Sequence, residues 1–332
     1  MPQGLDMRLV QGESKTLLLP LANLLVGERK AECVSLSCQY KASTSPRLLQ
    51  CLQAAAHAWD YSDPASWNST YSNCGGTSQS PIALTESSMT PASFEPFSVT
   101  GDNVTLTETL SNNGHSAVVA ISQTITVTGG GLGGTFKVAQ FHFHWGNDST
   151  TGSEHTLNGQ QYPMELHIVT YNSSYADLNT ALPQSDGLAV LGFFFQISSS
   201  DNPNFAPIVS GLSSIAAKDA THSITGFMLK DLMTASMSKF YRYKGSLTTP
   251  TCDESVTWTV FAEALSISET QLATFRTLYE DSGSTIQMVD NYRPTLALNG
   301  RTVNVYSNSA QTNIIGLVLL TSVQLSLYFL SK

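Results

Sequence analysis

The segment Gln140-Phe141-His142-Phe143-His144-Trp145 constrains this chain more than any other. Successive side chains leave a β-strand on opposite faces, so a period-two alternation of aromatic and polar residues reads as a strand. His142 and His144 then share one face, while Phe141, Phe143 and Trp145 point the other way, into a core. Imidazoles set in so apolar a strand are costly to bury without partners. The next apolar stretch, Pro163-Met164-Glu165-Leu166-His167-Ile168-Val169, repeats the arrangement, with Glu165 and His167 on one face. If these two strands pair, His167 completes a three-nitrogen set. Three histidines with a fourth position open is a catalytic arrangement for Zn²⁺. Nitrogen-rich sets also favour zinc over the hard cations, which take oxygen. A zinc-bound histidine normally donates its other N–H to a carboxylate or carbonyl. Glu165 lies on the right face to hold His167, and Gln140 to hold His142. Spacing alone names no partner for His144.

Between Trp59 and Tyr306 short apolar stretches alternate with turn residues. The pattern predicts strands at Val104–Leu110, Ala117–Val127, Phe136–Trp145, Met164–Thr170, Ala189–Gln196 and Val256–Ala262. Gly129–Gly134 (GGGLGG) is a turn between two of them; no GK[ST] follows, so it is no phosphate loop. Helices are expected at Phe205–Ala217 and Ser268–Leu278, the second capped by Ser266 or Ser268 with Glu269 in its first turn. Neither a repeat nor a linker interrupts this region, so one mainly β domain is the economical reading. The net charge of -9 and the absence of a basic cluster argue against a nucleic-acid partner. No H-E-x-x-H motif supports a peptidase.

Other features point outside the cytosol. Asn68, Asn103, Asn147 and Asn172 each open an N-x-[ST] acceptor. The 5 cysteines are Cys33, Cys38, Cys51, Cys74 and Cys252. An odd count leaves at least one free, paired between chains or removed in maturation, and an outer location favours a disulfide over buried thiols. Residues 1–58 differ in texture and form an N-terminal extension. Its apolar run Thr16–Val26 is too short to span a bilayer and makes a weak targeting segment. Residues 307–332 read as a C-terminal anchor signal. Ile314–Leu330 is apolar, short for a spanning helix, and preceded by the small residues Ser307, Asn308 and Ser309. That order is expected of a glycolipid anchor on the outer face of the plasma membrane, a single span or a secreted form being the alternatives.

Taken together, the residues resemble the alpha-class carbonic anhydrases, especially the extracellular membrane-anchored members. The resemblance runs over about 59–306. It is carried in order by QSPI (Gln79–Ile82), NNGHS (Asn112–Ser116), QFHFHWG (Gln140–Gly146), GSEHT (Gly152–Thr156) and ELH (Glu165–His167). GSLTTP (Gly245–Pro250), TW (Thr257–Trp258) and NYRPT (Asn291–Thr295) continue it. Residues 1–58 match nothing in that family, and Thr170-Tyr171 replaces a histidine and tryptophan that many members have.

The resemblance implies one domain around a large, mostly antiparallel twisted sheet with short peripheral helices. It implies Zn²⁺ on His142, His144 and His167, and reversible hydration of carbon dioxide to bicarbonate. Thr248 falls where the family's threonine accepts a hydrogen bond from zinc-bound hydroxide, and Glu154 where a carboxylate orients that threonine. His115 matches the proton-shuttling histidine, which suits a side chain titrating near neutrality. Asn291 matches the residue whose backbone carbonyl supports His144. Val169, Val190, Leu247, Val256 and Trp258 match the apolar wall that receives carbon dioxide; Thr249 and Tyr61 match residues of the pocket and its water network. Cys74 and Cys252 stand where secreted and membrane-bound members often pair two cysteines. A catalytically weak binding module, which would usually lack a zinc histidine, and a zinc hydrolase of small esters are the alternatives. His155, beside Glu154, is expected to serve structure through hydrogen bonds.

Overall fold

A computed structural model of the chain describes residues 59–234 and 236–308. The apolar run Thr16–Val26, Cys33, Cys38, Cys51, Ser309 and the tail Ile314–Leu330 lie outside the described residues. No helix among the described residues is long and apolar enough to cross a membrane.

The described residues build one large sheet of 12 strands. In chain order the first six are β1 (Thr90–Pro91), β2 (Ser98–Thr100), β3 (Leu106–Asn112), β4 (Ala117–Ala120), β5 (Thr126–Thr128) and β6 (Phe136–Trp145). The others are β7 (Met164–Asn172), β8 (Leu188–Ser198), β9 (Thr221–Phe227), β10 (Lys239–Gly245), β11 (Val256–Ser268) and β12 (Asn304–Ser307). The sheet runs β9-β3-β4-β6-β7-β8-β11-β10-β12-β1, with β5 beside β6 and β2 beside β5. Pairing is antiparallel except between β8 and β11 and between β12 and β1. The expected mainly β domain with short peripheral helices is what the chain forms.

Alternation divides the sheet into two faces. Phe141, Phe143, Trp145, Leu166, Phe193 and Phe261 pack into one core. Val169, Val190, Tyr243, Val256 and Trp258 pack on the other face, the side that carries the histidines. A register shift between Val138 and Gln140 is a bulge in β6. It explains why Phe136 and Val138 join the same core as Phe141 despite the odd spacing.

Two expected elements need correction. The strand expected at Ala117–Val127 divides into β4 and β5. Between them the Glu108 carboxylate accepts the N–H groups of Ser122 (3.0 Å) and Gln123 (3.4 Å), taking donors that a ladder needs. The helix expected at Phe205–Ala217 is α-helical only over Ala206–Leu212, between 3₁₀ turns Pro203–Phe205 and Ser213–Ile215. Its continuation stops where the Ile215 and Ala216 carbonyls accept from Asn112 Nδ2, each at 3.1 Å. Gly211 allows this helix onto the sheet, since a Cβ there would come within 2.8 Å of Ile224. The second helix spans Glu269–Phe275, capped by Ser268 with the reciprocal Gln271 bond of a capping box. The remaining boundaries also move: Val104 is exposed outside β3, while β7, β8 and β11 run further than their apolar cores.

Cys74 and Cys252 form a disulfide across a sequence separation of 178. In the chain-entropy picture a loop of that length contributes on the order of 4–5 kcal/mol, less any strain. Trp67 packs against the pair, with Trp59, Tyr61 and Tyr71 around it.

Candidate metal centre

Strand register assembles the histidines. His142 lies directly opposite His167 across the β6–β7 pair, and His144 lies opposite Glu165. Facing residues of an antiparallel pair share a face, so all four side chains meet on one side of the sheet. One nitrogen from each of His142, His144 and His167 lies within 4.8 Å of the others. His144 and His167 are buried, while His142 keeps part of its surface accessible.

The outer nitrogens are all committed to acceptors. His142 Nδ1–H donates to Gln140 Oε1 (3.0 Å), His144 Nδ1–H to the Asn291 carbonyl (2.8 Å) and His167 Nε2–H to Glu165 Oε1 (2.8 Å). A carbonyl and a carboxylate only accept. In the neutral rings, the inward nitrogens must therefore carry lone pairs. His144 Nε2 and His167 Nδ1 face each other at 3.1 Å, an arrangement that calls for a shared cation. Burial lowers the pKa of His144, and burial followed by the charges of His144 and His167 lowers that of His142 well below the usual range. Neutral rings are the form that binds metal. This donor set, three imidazoles with oriented outer N–H groups, fits zinc.

Glu165 anchors the arrangement. Its Oε2 accepts the backbone N–H groups of Glu154 and His155, both at 2.9 Å, and its Oε1 also accepts His155 Nδ1–H at 2.7 Å. Burial alone would raise this carboxyl, but His155 and His167 outweigh it and hold it well below the usual carboxylate range. His155, Glu165 and His167 also converge closely enough to resemble a metal cluster. Their polar atoms are instead spent on one another, and His155 Nε2 bonds the Tyr243 hydroxyl at 2.7 Å. His155 is thus structural, as its sequence context implied.

The other expected residues take these places. Thr248 is buried and Leu247 and Thr249 are half-buried in the loop after β10. Val169, Val190, Val256 and Trp258 are buried on the histidine face. Glu154 Oε1 accepts the Arg293 N–H (2.9 Å), while Oε2 is buried without a hydrogen-bond partner, 3.5 Å from His144 Nε2. Among the described residues no hydrogen bond joins Glu154 to Thr248. The Tyr61 hydroxyl is likewise buried without such a partner. Burial, then the Glu154 and Glu280 charges, hold its pKa well above the usual phenol range. His115 stacks on Trp59 with ring centroids 3.7 Å apart, and its carbonyl accepts from Asn291 Nδ2 (2.9 Å). Asn291 therefore ties the His115 turn to His144. Sequence reasoning missed Tyr243, Arg293 and Trp59. Arg293 stands inside the NYRPT motif, but nothing in the spacing pointed to its backbone N–H.

Fold and centre together define a single-domain, sheet-based metalloenzyme with a three-histidine site. The eukaryotic-type carbonic anhydrase family profile matches residues 62–307. Human carbonic anhydrase 12 is 36% identical over 271 residues, covering 77% of this chain and 74% of that protein. Human carbonic anhydrase 7 is 36% identical over 257 residues, covering 74% and 96%, and its mouse counterpart matches to the same extent. The chain belongs to the alpha-class, eukaryotic-type carbonic anhydrases.

Proposed function

We propose that this enzyme reversibly hydrates carbon dioxide to bicarbonate and a proton, using zinc held by His142, His144 and His167. The observation that carries this reading is the convergence of three imidazole nitrogens whose outer N–H groups are already pinned. Bound there, zinc supplies a Lewis acid that makes a water acidic enough to yield a nucleophile near neutral pH. The chain's own residues do the rest. Val169, Val190, Leu247, Val256 and Trp258 offer an apolar wall to an apolar substrate and no strong anchor for the anionic product. Thr248 orients the nucleophile by accepting its proton in a hydrogen bond, and the unpartnered Glu154 Oε2 is the acceptor that would fix the Thr248 hydroxyl. His115, in a polar turn, passes the released proton to solvent, with Tyr61 and Thr249 ordering the water between.

We further propose that residues 59–306 form the catalytic domain of an enzyme held outside the plasma membrane, with 1–58 as an extension and 307–332 as the anchor signal. The Cys74–Cys252 disulfide supports an oxidising compartment. The sequon residues Asn68, Asn103 and Asn147 are exposed, and Asn172 is half-buried with its Nδ2 near Asp186. The glycolipid would sit on Ser307, Asn308 or Ser309; Ser307 pairs with Lys239 and the Asn308 N–H donates to the Ser238 carbonyl at 2.9 Å, so the catalytic sheet runs up to this point.

Stopped-flow hydration by the full chain tests the activity: it should vanish on chelation and return with zinc. Thr248→Ala and Glu154→Gln should keep zinc and lower turnover. His115→Ala should lose rate mainly in dilute buffer, with imidazole-type buffers restoring it. Release of active enzyme from intact cells by a phosphatidylinositol-specific phospholipase tests the anchor; retention on cells with peptides from Ile314–Leu330 favours a span.

A further inference from the structure

The sheet carries a second polar site, on the face opposite the metal centre. Gln140, Val169, Val190, Trp258 and Tyr243 lie opposite one another across five strands and so share the histidine face. Arg242, Lys244, Thr257 and Thr259 alternate with the last two and lie on the other face. Arg242 sits opposite Thr259 on β11 and opposite Asn304 on β12, and Lys244 sits opposite Thr257. The result is two cation–threonine rungs. Arg242 Nε and Nη2 donate to Thr259 Oγ1 (3.2 and 2.8 Å), and Lys244 Nζ donates to Thr257 Oγ1 (2.7 Å).

Arg242 is only 6% exposed. A guanidinium so deep is ordinarily paired with a carboxylate. Among the described residues, no Asp or Glu oxygen lies within 4.0 Å of Arg242, Lys244 or Arg301. The rings of Phe94, Phe240 and Phe97 surround the Arg242 head instead, at 5.2, 5.4 and 5.9 Å. Its Nη1 has no hydrogen-bond partner among the described residues. Burial pushes the Arg242 guanidinium down to about 10, and burial and then Arg242 lower the Lys244 ammonium. Three cations without a close ion pair among the described residues gather here in a chain of net charge -9, Asp186 and Glu254 reaching Lys244 and Arg301 only at longer range. Over them opens a cavity of about 400 Å³, lined by Arg242, Lys244, Thr257, Asn304, Arg301 and Thr302 among others. Arg301 adds charge, its donors being spent on the Leu298, Lys244, Gln79 and Ala297 carbonyls.

We propose that this cavity binds a tetrahedral oxyanion, a phosphate or sulfate group, through Arg242, Lys244 and the Asn304 amide. Arg242 and Asn304 face each other on one rung and Lys244 stands on the next same-face rung of β10, so donors on two strands and two rungs approach a ligand from different directions. Oxygens arranged tetrahedrally meet such a set, whereas a carboxylate presents both oxygens in one plane. The site is independent of the metal centre and of the hydration chemistry.

Titration of inorganic phosphate into the zinc-loaded full chain, followed by ³¹P NMR, tests it. Saturable binding is expected, weakened about tenfold or more by Lys244→Glu, the scale of a lost charge-assisted bond plus an added like charge. Lys244 is exposed, so this variant should fold and keep its hydration rate; Arg242→Gln should weaken binding as well. Binding should persist in His144→Ala. Sedimentation with phosphatidylcholine vesicles, with and without a phosphoinositide, separates the sources. Lys244-dependent capture assigns the phosphate to a lipid headgroup, and binding of the free ion alone assigns a soluble one. Absence of saturable binding, or binding indifferent to Lys244→Glu, or binding lost with His144 instead, overturns the proposal.

Discussion

His142, His144 and His167 on one side, and His155, Glu165 and His167 on the other, are clusters of much the same composition that share a residue. Both sit on one face of one sheet, and both converge closely enough to hold an ion. They differ in where the protons go. In the first, every outer N–H is given to an acceptor and the inward nitrogens are left with lone pairs. In the second, the carboxylate and the imidazole satisfy each other and the Tyr243 hydroxyl carries the chain on to Ser80. Proximity of histidines does not by itself make a metal site; the direction of the committed N–H groups decides.

The largest effect that can break this distinction is the contrast between His144→Ala and His155→Ala. The first should lose zinc and nearly all hydration activity. The second should keep stoichiometric zinc and most activity, while losing about 2–4 kcal/mol of stability for a buried cavity and unpaired hydrogen bonds. Equal zinc loss in both, by metal analysis of the purified variants, would collapse the division. Glu165→Gln sharpens it, because that carboxylate serves both clusters. Zinc affinity should fall about 10–100-fold, with hydration recovered at saturating zinc; unchanged affinity in competition with a chelator would deny Glu165 its positioning role. Gln140→Ala removes a neutral partner from a partly accessible ring and should weaken zinc by less than about tenfold.

The smallest effect contrasts two carboxyls. Glu165 is held low by histidines, whereas no cation among the described residues offsets the burial of Glu280. Burial, then Asp60 and Asp281, raise Glu280 to about 7. A raised folded-state carboxyl binds more protons than the unfolded chain between the usual glutamate range and that value. Its contribution is therefore favourable at low pH and lost as pH climbs through that window. With its partial exposure discounted, Glu280→Gln should gain about 1 kcal/mol above pH 7 and nothing near pH 4. A parallel pH–stability curve for both proteins would refute this.

Much of the metal centre was legible because its chemistry lies on consecutive rungs. Gln140, His142 and His144 obey period two, and the Glu165–His167 pair answers them on the adjacent strand. The His144 partner was not legible from spacing, because it is a backbone carbonyl 147 residues away; only the family resemblance pointed to Asn291. The β6 ends matched their apolar run, but β10 was missed. Its Lys239, Arg242 and Lys244 interrupt the apolar pattern, and nothing local shows that three phenylalanine rings will shelter Arg242. The helix starting at Glu269 was readable from Ser266 or Ser268 as cap and Glu269 in its first turn; the structure selects Ser268 and adds the reciprocal Gln271 bond. The helix near Phe205 was overextended because its end is set by a distant side chain, Asn112. Ala117–Val127 was overextended for the same kind of reason, since Glu108 takes the two N–H groups.

X-ray absorption at the zinc edge of the purified full chain tests the three-histidine centre most directly. The account predicts one zinc per chain, with three imidazole nitrogens at about 2.0–2.1 Å and one oxygen ligand from water. That signature should disappear in His144→Ala and persist in His155→Ala. A spectrum with carboxylate in place of an imidazole, or one lost with His155 and retained without His144, would place the metal in the wrong cluster and contradict the account.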